Sequence, residues 1–186
     1  MTITKTQQNR LQLLDSLPKG GTCCEAGVLA GDFSAEILKR CNPEKLYLVD
    51  LFRGSVMSGD ENGEHMSRYD MVAMKEEVER RFAFEYVVEV VQAESVAWLT
   101  MREAGSLSWV YIDTTHQFEQ TIGELAAALV AVKDGGFICG HDYDQQYPGV
   151  VQAVDHFCAH YGFSVEIFEG DRLASYKIFK TKVELS

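Results

Sequence analysis

The chain has 186 residues, and its 28 Asp and Glu residues outnumber 17 Lys and Arg residues, which gives a net charge of −11. This length suits a single domain over 1–186, because one hydrophobic core usually stops growing at about 250–300 residues. The hydrophobic share of 46% and the charged share of 24% fit a globular protein and exclude intrinsic disorder. The acidic balance disfavours nucleic acid and anionic membranes as partners, since Lys and Arg supply most of the binding to both.

The five cysteines indicate a reducing compartment. Their number is odd, no C-x-x-C pair occurs, and Cys23 and Cys24 are neighbours that cannot easily bridge each other. Free thiols of this kind are typical of the cytoplasm, and the spacing gives no support to a zinc site. Residues 1–10 lack the apolar run of a signal peptide, and the longest apolar run, 125–132, is too short to span a membrane. We therefore expect a cytoplasmic protein.

Predicted strands and helices alternate along most of the chain. In chain order they are a helix through 11–17, a strand at 22–26, a helix from 32, a strand at 45–51, a helix through 71–82, strands at 86–91 and 107–112, a helix at 116–132, a strand at 136–139, a helix through 150–158, and strands at 164–168 and 174–179. The alternation predicts a parallel sheet covered by helices on both faces, and the closing hairpin predicts one antiparallel edge strand. Ligands of such sheets bind at the carboxyl ends of the strands.

Two motifs at predicted strand ends point to a nucleoside cofactor. Glu25 to Gly31 is a glycine-rich turn from a strand into a helix, where a ligand can approach the backbone closely. Leu29 breaks the G-x-G-x-x-G dinucleotide pattern, which disfavours a nicotinamide-dependent oxidoreductase. Asp50 follows the next strand and can accept hydrogen bonds from both hydroxyls of a ribose. A plain tight turn and a capping carboxylate are the alternatives.

These motifs form part of a longer pattern that includes the segments 48–54, 111–116, 135–143 and 148–150. Over roughly residues 22–158 the chain resembles the class I S-adenosylmethionine-dependent methyltransferases, and more narrowly the macrocin O-methyltransferase group. The resemblance implies a three-layer α/β sandwich with a mostly parallel seven-stranded sheet in the order 3-2-1-4-5-7-6. It also implies methyl transfer from S-adenosylmethionine to a hydroxyl of a small polar molecule, such as a sugar or natural product. Methyltransferases of this kind are often homodimers.

The resemblance assigns cofactor contacts to residues at four strand ends. They are Glu25, Gly27 and Gly31 for the methionine end, Asp50 for the ribose, Leu51 for the adenine, Ala93 and Glu94 for the adenine edge, and Asp113 beside the transferable methyl. The chain departs from the family twice, with Asp-Thr-Thr-His at 113–116 where Asp-Gly-x-His is common, and Ala-Glu-Ser at 93–95 where Gly-Asp-Ser is common. The first departure leaves open a catalytically inactive module that binds S-adenosylmethionine.

Asp113, His141 and Asp142 are the predicted metal ligands, since they follow adjacent strands of the expected sheet. Two neighbouring carboxylates repel each other unless a proton or a cation lies between them, and oxygen-rich ligands suit Mg²⁺, Mn²⁺ or Ca²⁺. In related enzymes such an ion holds two substrate oxygens and acidifies the one that attacks. His116 is the candidate general base, because the ordinary pKa of a histidine is about 6.5. The alternative is that Asp113 only caps a helix and His116 is an ordinary polar residue.

Two segments are expected to border the mouth of the cofactor site. The loop 52–67 offers Arg53, Glu64 and His65 as substrate contacts, although a solvated charged loop is an equal alternative. The segment 143–147 offers a polar rim, which suits a hydroxylated substrate better than an apolar one.

Overall fold

The protein is described from a computed structural model, in which residues 1–53 and 70–183 are defined. The strands are β1 (Ile3–Thr6), β2 (Thr22–Ala26), β3 (Lys45–Asp50), β4 (Val88–Gln92), β5 (Leu107–Ile112), β6 (Val132–Gly140), β7 (Val165–Phe168) and β8 (Ser175–Phe179). The helices are α1 (Arg10–Ser16), α2 (Asp32–Cys41), α3 (Met71–Arg81), α4 (Ser95–Thr100), α5 (Phe118–Ala131) and α6 (Pro148–Tyr161).

All eight of these strands belong to one sheet, in the order β1-β7-β8-β6-β5-β2-β3-β4. From β4 to β7 this is the predicted order 3-2-1-4-5-7-6, which confirms the methyltransferase-like topology. The structure differs from the prediction in two respects. The closing hairpin predicted an antiparallel edge strand, whereas the antiparallel strand, β8, lies between β6 and β7, where the order 3-2-1-4-5-7-6 already places it. In addition, β1 pairs in parallel with β7 and extends the predicted seven strands to eight.

Two short elements, β1 and α4, were absent from the predicted set. The side chains of β1 are mostly exposed, so the strand is held by main-chain pairing and shows no alternation of apolar and polar residues. Helix α4 has six residues, which is too short for a helical period to be visible in the sequence.

Two buried clusters, one on each face of the sheet, make the fold a three-layer sandwich. On one face α1, α2 and α3 pack through residues such as Leu13, Ile37 and Val78. On the other face α4, α5 and α6 pack through residues such as Leu125 and Phe157. Residues 109–112 of β5 alternate between the two clusters, as the period of two in a strand requires. This central strand is buried along its whole length.

The helix boundaries follow from local chemistry. Asn9 forms a capping box with Gln12 at the start of α1, and the Asp70 carboxylate accepts two backbone N–H groups at the start of α3. Pro148 occupies the first turn of α6, and Gly162 ends that helix in the left-handed conformation.

All five cysteines are free, as the sequence predicts, and all five are buried. Burial raises the pKa of each thiol, for example that of Cys41 to about 11, so these groups are not reactive thiolates at neutral pH. Among the described residues, no helix is both long and apolar enough to cross a membrane.

Candidate functional site

Main-chain hydrogen bonds tie together the ends of the central strands, where the predicted site residues lie. The Asp113 N–H donates to the Ala26 carbonyl at 2.7 Å, and the Gly27 N–H donates to the Val49 carbonyl at 2.9 Å. The His141 N–H donates to the Ile112 carbonyl at 3.0 Å. Side chains that are far apart in the sequence therefore leave the sheet from one edge.

Gly27 allows the glycine-rich turn to lie directly against the loop that carries Asp113. Its φ is 89°, and a β-carbon placed there would lie 1.8 Å from the Asp113 carbonyl oxygen. Only glycine removes both the backbone strain and the clash. The requirement for glycine at this position therefore comes from contact between two loops, in addition to any approach by a ligand.

Glu25 is placed beneath this turn, with its side chain only 1% exposed. The Ser34 hydroxyl, in the first part of α2, donates a 2.5 Å hydrogen bond to its carboxyl group. Burial raises the pKa of Glu25 to about 8, against the lowering effect of the Ser34 hydrogen bond. The group is therefore mostly protonated at neutral pH. Its contact with the methionine end of a cofactor, like those of Gly27 and Gly31, stays a prediction.

The Asp50 carboxylate holds the glycine-rich turn in shape. One oxygen accepts the N–H groups of Val28 and Leu29, at 2.8 and 3.2 Å, and the other accepts the N–H of Phe52 at 2.8 Å. A carboxylate has about four acceptor positions, so these three bonds leave about one for a ribose hydroxyl. Leu51, the predicted adenine neighbour, lies half-buried in the same loop.

The loop after β4 brings Ala93 and Glu94 beside this region. Its position is set by the Ala93 N–H, which donates to the Asp50 carbonyl at 3.0 Å. The Glu94 carboxylate caps α4 by accepting the N–H groups of Val96 and Ala97, and it also accepts Gln120 Nε2 at 2.7 Å. The structure thus gives Glu94 a capping role, and its contact with the adenine edge stays a prediction.

A buried carboxyl group, Glu124, connects this loop to the one after β5, and the sequence analysis missed it. Glu124 is fully buried on α5 and accepts the Ser95 hydroxyl at 2.5 Å, the Thr114 hydroxyl at 2.8 Å and Gln120 Nε2 at 3.1 Å. Burial raises its pKa to about 7, against the lowering effect of these hydrogen bonds. Thr114 is one of the departures from the family pattern, and its hydroxyl is engaged in the hydrogen bond to Glu124. The available signal was an acid at position 124, directly before the apolar residues 125–131 of α5.

Asp113, His141 and Asp142 form a compact cluster of potential metal ligands, as predicted. One donor atom from each lies within 4.8 Å of the others. His141 Nδ1 is 2.9 Å from Asp142 Oδ1 and 3.9 Å from Asp113 Oδ2. The cluster lines a small pocket with His116 and Tyr176, and the buried Tyr176 hydroxyl has no hydrogen-bond partner among the described residues.

His116 is joined to the same cluster from the segment directly before α5. Its Nε2 lies 2.8 Å from Asp142 Oδ2, so the Asp142 carboxylate bridges two imidazoles. The His116 ring also stacks on Tyr147, with ring centres 3.8 Å apart. A carboxylate on one side and a ring face on another fix the imidazole plane. His116 is therefore linked to the cluster through Asp142.

The pKa values of the two carboxyl groups in the cluster are shifted in opposite directions. Burial raises the pKa of Asp113, partly offset by the charge of His141. Burial also acts to raise the pKa of Asp142, but its hydrogen bonds to His116 and His141 hold that pKa well below the ordinary value. Burial lowers the pKa of His141, yet its bond to Asp142 and the charge of Asp113 raise that pKa on balance. A bound cation would place positive charge beside both carboxyl groups.

The donor set fits a divalent cation. Two carboxylates and one imidazole converge at the end of the sheet, and a cation there would remove the repulsion between Asp113 and Asp142. His141 could ligate once its Nδ1 gives up the proton shared with Asp142, since only the neutral imidazole binds metals.

Of the two segments predicted to border the site, 143–147 is described in full and 52–67 only at its start. In the segment 143–147, the Tyr143 hydroxyl donates to Asp155 and the Gln146 N–H donates to Asp144, so part of the polar rim is held in place. In the loop 52–67, Phe52 is buried and Arg53 is exposed. The rest of that loop, with Glu64 and His65, lies outside the described residues.

Comparison with known proteins agrees with this arrangement of fold and site. A family described as a methyltransferase domain matches residues 24–143. The chain belongs to this methyltransferase family. It has the fold of the class I S-adenosylmethionine-dependent methyltransferases, so the family and fold expected from the sequence are confirmed. No curated protein sequence matches the chain significantly.

Solved structures share the fold at low sequence identity. The O-methyltransferase NovP aligns with a TM-score of 0.69 and 21% identity over 93% of this chain and 80% of NovP. An S-adenosylmethionine-dependent O-methyltransferase from Thermotoga maritima aligns with a TM-score of 0.66 and 11% identity over 95% of this chain and 65% of that protein. A structure described as an rRNA methylase from Clostridium thermocellum aligns with a TM-score of 0.65 and 12% identity over 94% and 95%. These similarities establish the fold, and they include more than one substrate class.

Proposed function

We propose that this methyltransferase transfers the methyl group of S-adenosylmethionine to a hydroxyl of a small polar molecule, with the help of a divalent cation. The observation that carries the proposal is the cluster of Asp113, His141 and Asp142 beside the glycine-rich turn. Attack on a sulfonium methyl is in line, so the enzyme contributes chiefly by orienting the donor and the acceptor. A cation held by fixed protein ligands could orient two oxygens of the acceptor and so suits this task.

Asp113, His141 and Asp142 would hold the cation. When bound, it would supply Lewis-acid chemistry that lowers the pKa of the acceptor hydroxyl and keeps it in place. Carboxylates suit Mg²⁺, Ca²⁺ and Mn²⁺, whereas an imidazole suits transition metals. The single histidine therefore favours Mn²⁺ among the three expected ions.

His116 would act as the general base. Its Nε2 is engaged with Asp142, so Nδ1 is the nitrogen available to take the hydroxyl proton. Asp142 fixes the tautomer and Tyr147 fixes the ring plane, as a positioned base requires. A hydroxylated acceptor would contact the segment 143–147, whose polar groups suit a sugar or a similar polar molecule.

The proposal is tested by metal binding and by methyl transfer. Calorimetry should detect Mn²⁺ binding to the parent protein, and Asp142→Asn should weaken it by tenfold or more, as expected for loss of a ligand. Asp134→Asn, which makes the same change at an exposed site near Lys180, should bind Mn²⁺ like the parent. With tritiated S-adenosylmethionine and a panel of sugars and polyphenols, His116→Gln should reduce transfer by about 100-fold.

Two results would count against this function. Activity that survives chelation and remains in Asp142→Asn would remove the cation from the reaction. Cofactor binding with no transfer to any hydroxylated compound would instead favour the inactive binding module.

A further inference from the structure

Arg10 lies at the start of α1, and its backbone is fixed from two sides. Asn9 caps the helix directly before it, and the Arg10 N–H donates to Asp171 Oδ2 at 2.8 Å. The side chain is half-buried. No motif of the family resemblance includes this residue, and the proposed chemistry does not use it.

The guanidinium group lies beside the ends of β2 and β5. Its central carbon is 4.9 Å from the centre of the Phe33 ring, and that ring contacts Tyr111 at 4.4 Å between centres. Tyr111 pairs with Glu25 across the two strands and lies two residues before Asp113. Arg10 therefore reaches the region where the methionine end of the cofactor is expected.

This cation has no anionic partner. Among the described residues, no side chain forms a hydrogen bond or an ion pair with the Arg10 guanidinium, whereas Arg40, Arg80 and Arg81 each pair with a carboxylate. Glu25 is not available to it, because that carboxyl group is buried and bonded to Ser34. The Phe33 ring orients the guanidinium, and no carboxylate among the described residues neutralises it. Such a group can bind an anion.

The charges of the site agree with this location. Burial is the main cause of the raised pKa values of Glu25 and Asp113, and the positive charge of Arg10 acts against it in both cases. The guanidinium is thus close enough to influence the two acids, while it forms an ion pair with neither.

We propose that Arg10 binds a carboxylate of a ligand, in the first place the α-carboxylate of the methionine part of S-adenosylmethionine. The planar fork of a guanidinium can donate two parallel hydrogen bonds to a carboxylate, and the Phe33 ring holds the fork in place. This inference rests on the proposed use of S-adenosylmethionine. The other source of the same chemistry is a carboxylate on the methyl acceptor.

The test compares ligands that differ in the carboxylate. S-adenosylhomocysteine carries the amino acid, whereas 5′-methylthioadenosine lacks it. By calorimetry, Arg10→Gln should weaken S-adenosylhomocysteine about tenfold or more and change 5′-methylthioadenosine less than twofold, because only the first ligand loses a charge-assisted bond. Arg10→Lys keeps the charge but not the planar fork. Its affinity for S-adenosylhomocysteine should lie between that of the parent protein and that of Arg10→Gln. Arg80→Gln, at an exposed arginine of α3, is the matched control and should bind both ligands like the parent.

A second pair of probes identifies an acceptor carboxylate. With S-adenosylhomocysteine saturating, a loss of D-galacturonate binding without a loss of D-galactose binding in Arg10→Gln would place the carboxylate on the acceptor. Unchanged affinities in both pairs, or equal losses for S-adenosylhomocysteine and 5′-methylthioadenosine, would overturn the proposal. Failure of the parent protein to bind either nucleoside would instead contradict the proposed function.

Discussion

Gly27 shows how one residue can control the whole site, because the glycine-rich turn contacts the Asp113 loop through it. Gly27→Ala adds both strain at a positive φ and a clash with the Asp113 carbonyl. We expect a loss of several kcal/mol in the free energy of unfolding, with loss of cofactor binding. Thermal unfolding and a titration with S-adenosylhomocysteine measure the two effects.

Gly135→Ala separates strain from clash. Gly135 also has a positive φ, 78°, but no atom lies within 4 Å of an added β-carbon. We expect it to cost only the strain, about 1–2 kcal/mol, with cofactor affinity unchanged. Equal losses in the two variants would mean that contact between the loops is unimportant.

The sequence predicts which residues lie at the strand ends, but it does not predict which side-chain contacts they make. Asp113, His141 and Asp142 could be predicted, because carboxyl ends of neighbouring parallel strands meet at one edge of the sheet. The bridging position of Asp142 between two histidines could not, since it depends on a positive φ at that residue, 61°, and on side-chain rotamers. The same holds for Arg10, whose neighbours come from distant segments.

At the scale of elements, α5 is joined to both loops that border the site through Glu124. Its folded-state pKa, about 7, lies above the ordinary value of 4.5. The folded protein therefore keeps a proton that the unfolded chain releases, and stability from this group falls as the pH rises from about 4.5 to 7. Glu124→Gln should remove this part of the pH dependence, up to about 3 kcal/mol.

Urea unfolding of the parent protein and the variant across pH 4.5–8 measures this effect. Glu119→Gln makes the same chemical change at an exposed position of the same helix and serves as the control. Glu25, whose pKa is also raised, to about 8, contributes equally to all three proteins and cancels in the comparison. A pH dependence that is the same in Glu124→Gln and in the parent would contradict the account of this group.

Long, periodic elements could be predicted from the sequence, and short or polar ones could not. Helices α2, α3, α5 and α6 and the buried strands carry apolar residues at regular spacing, so their patterns identify them. Strand β1 forms by edge pairing with β7, which leaves little trace in its own residues. The internal position of β8 depends on how the closing hairpin joins the sheet, and the hairpin signal alone does not specify it.

For the whole molecule, the net charge of −11 has a local meaning. Several acids lie at the carboxyl ends of the strands, where Asp50 stabilises a turn, Glu25 is buried and two others belong to the cluster with His141. Such a site is suited to a cation and to a cofactor whose sulfonium is positively charged. Arg10, which has no anionic partner among the described residues, would supply the positive charge for the carboxylate of that cofactor under the proposal made above.

The most direct test of the central claim is an equilibrium titration of the protein with S-adenosylhomocysteine. We predict saturable binding at one site per chain, with Gly27→Ala binding at least tenfold more weakly. An absence of binding to the folded parent protein, at ligand concentrations up to the millimolar range, would contradict the assignment of this site to S-adenosylmethionine.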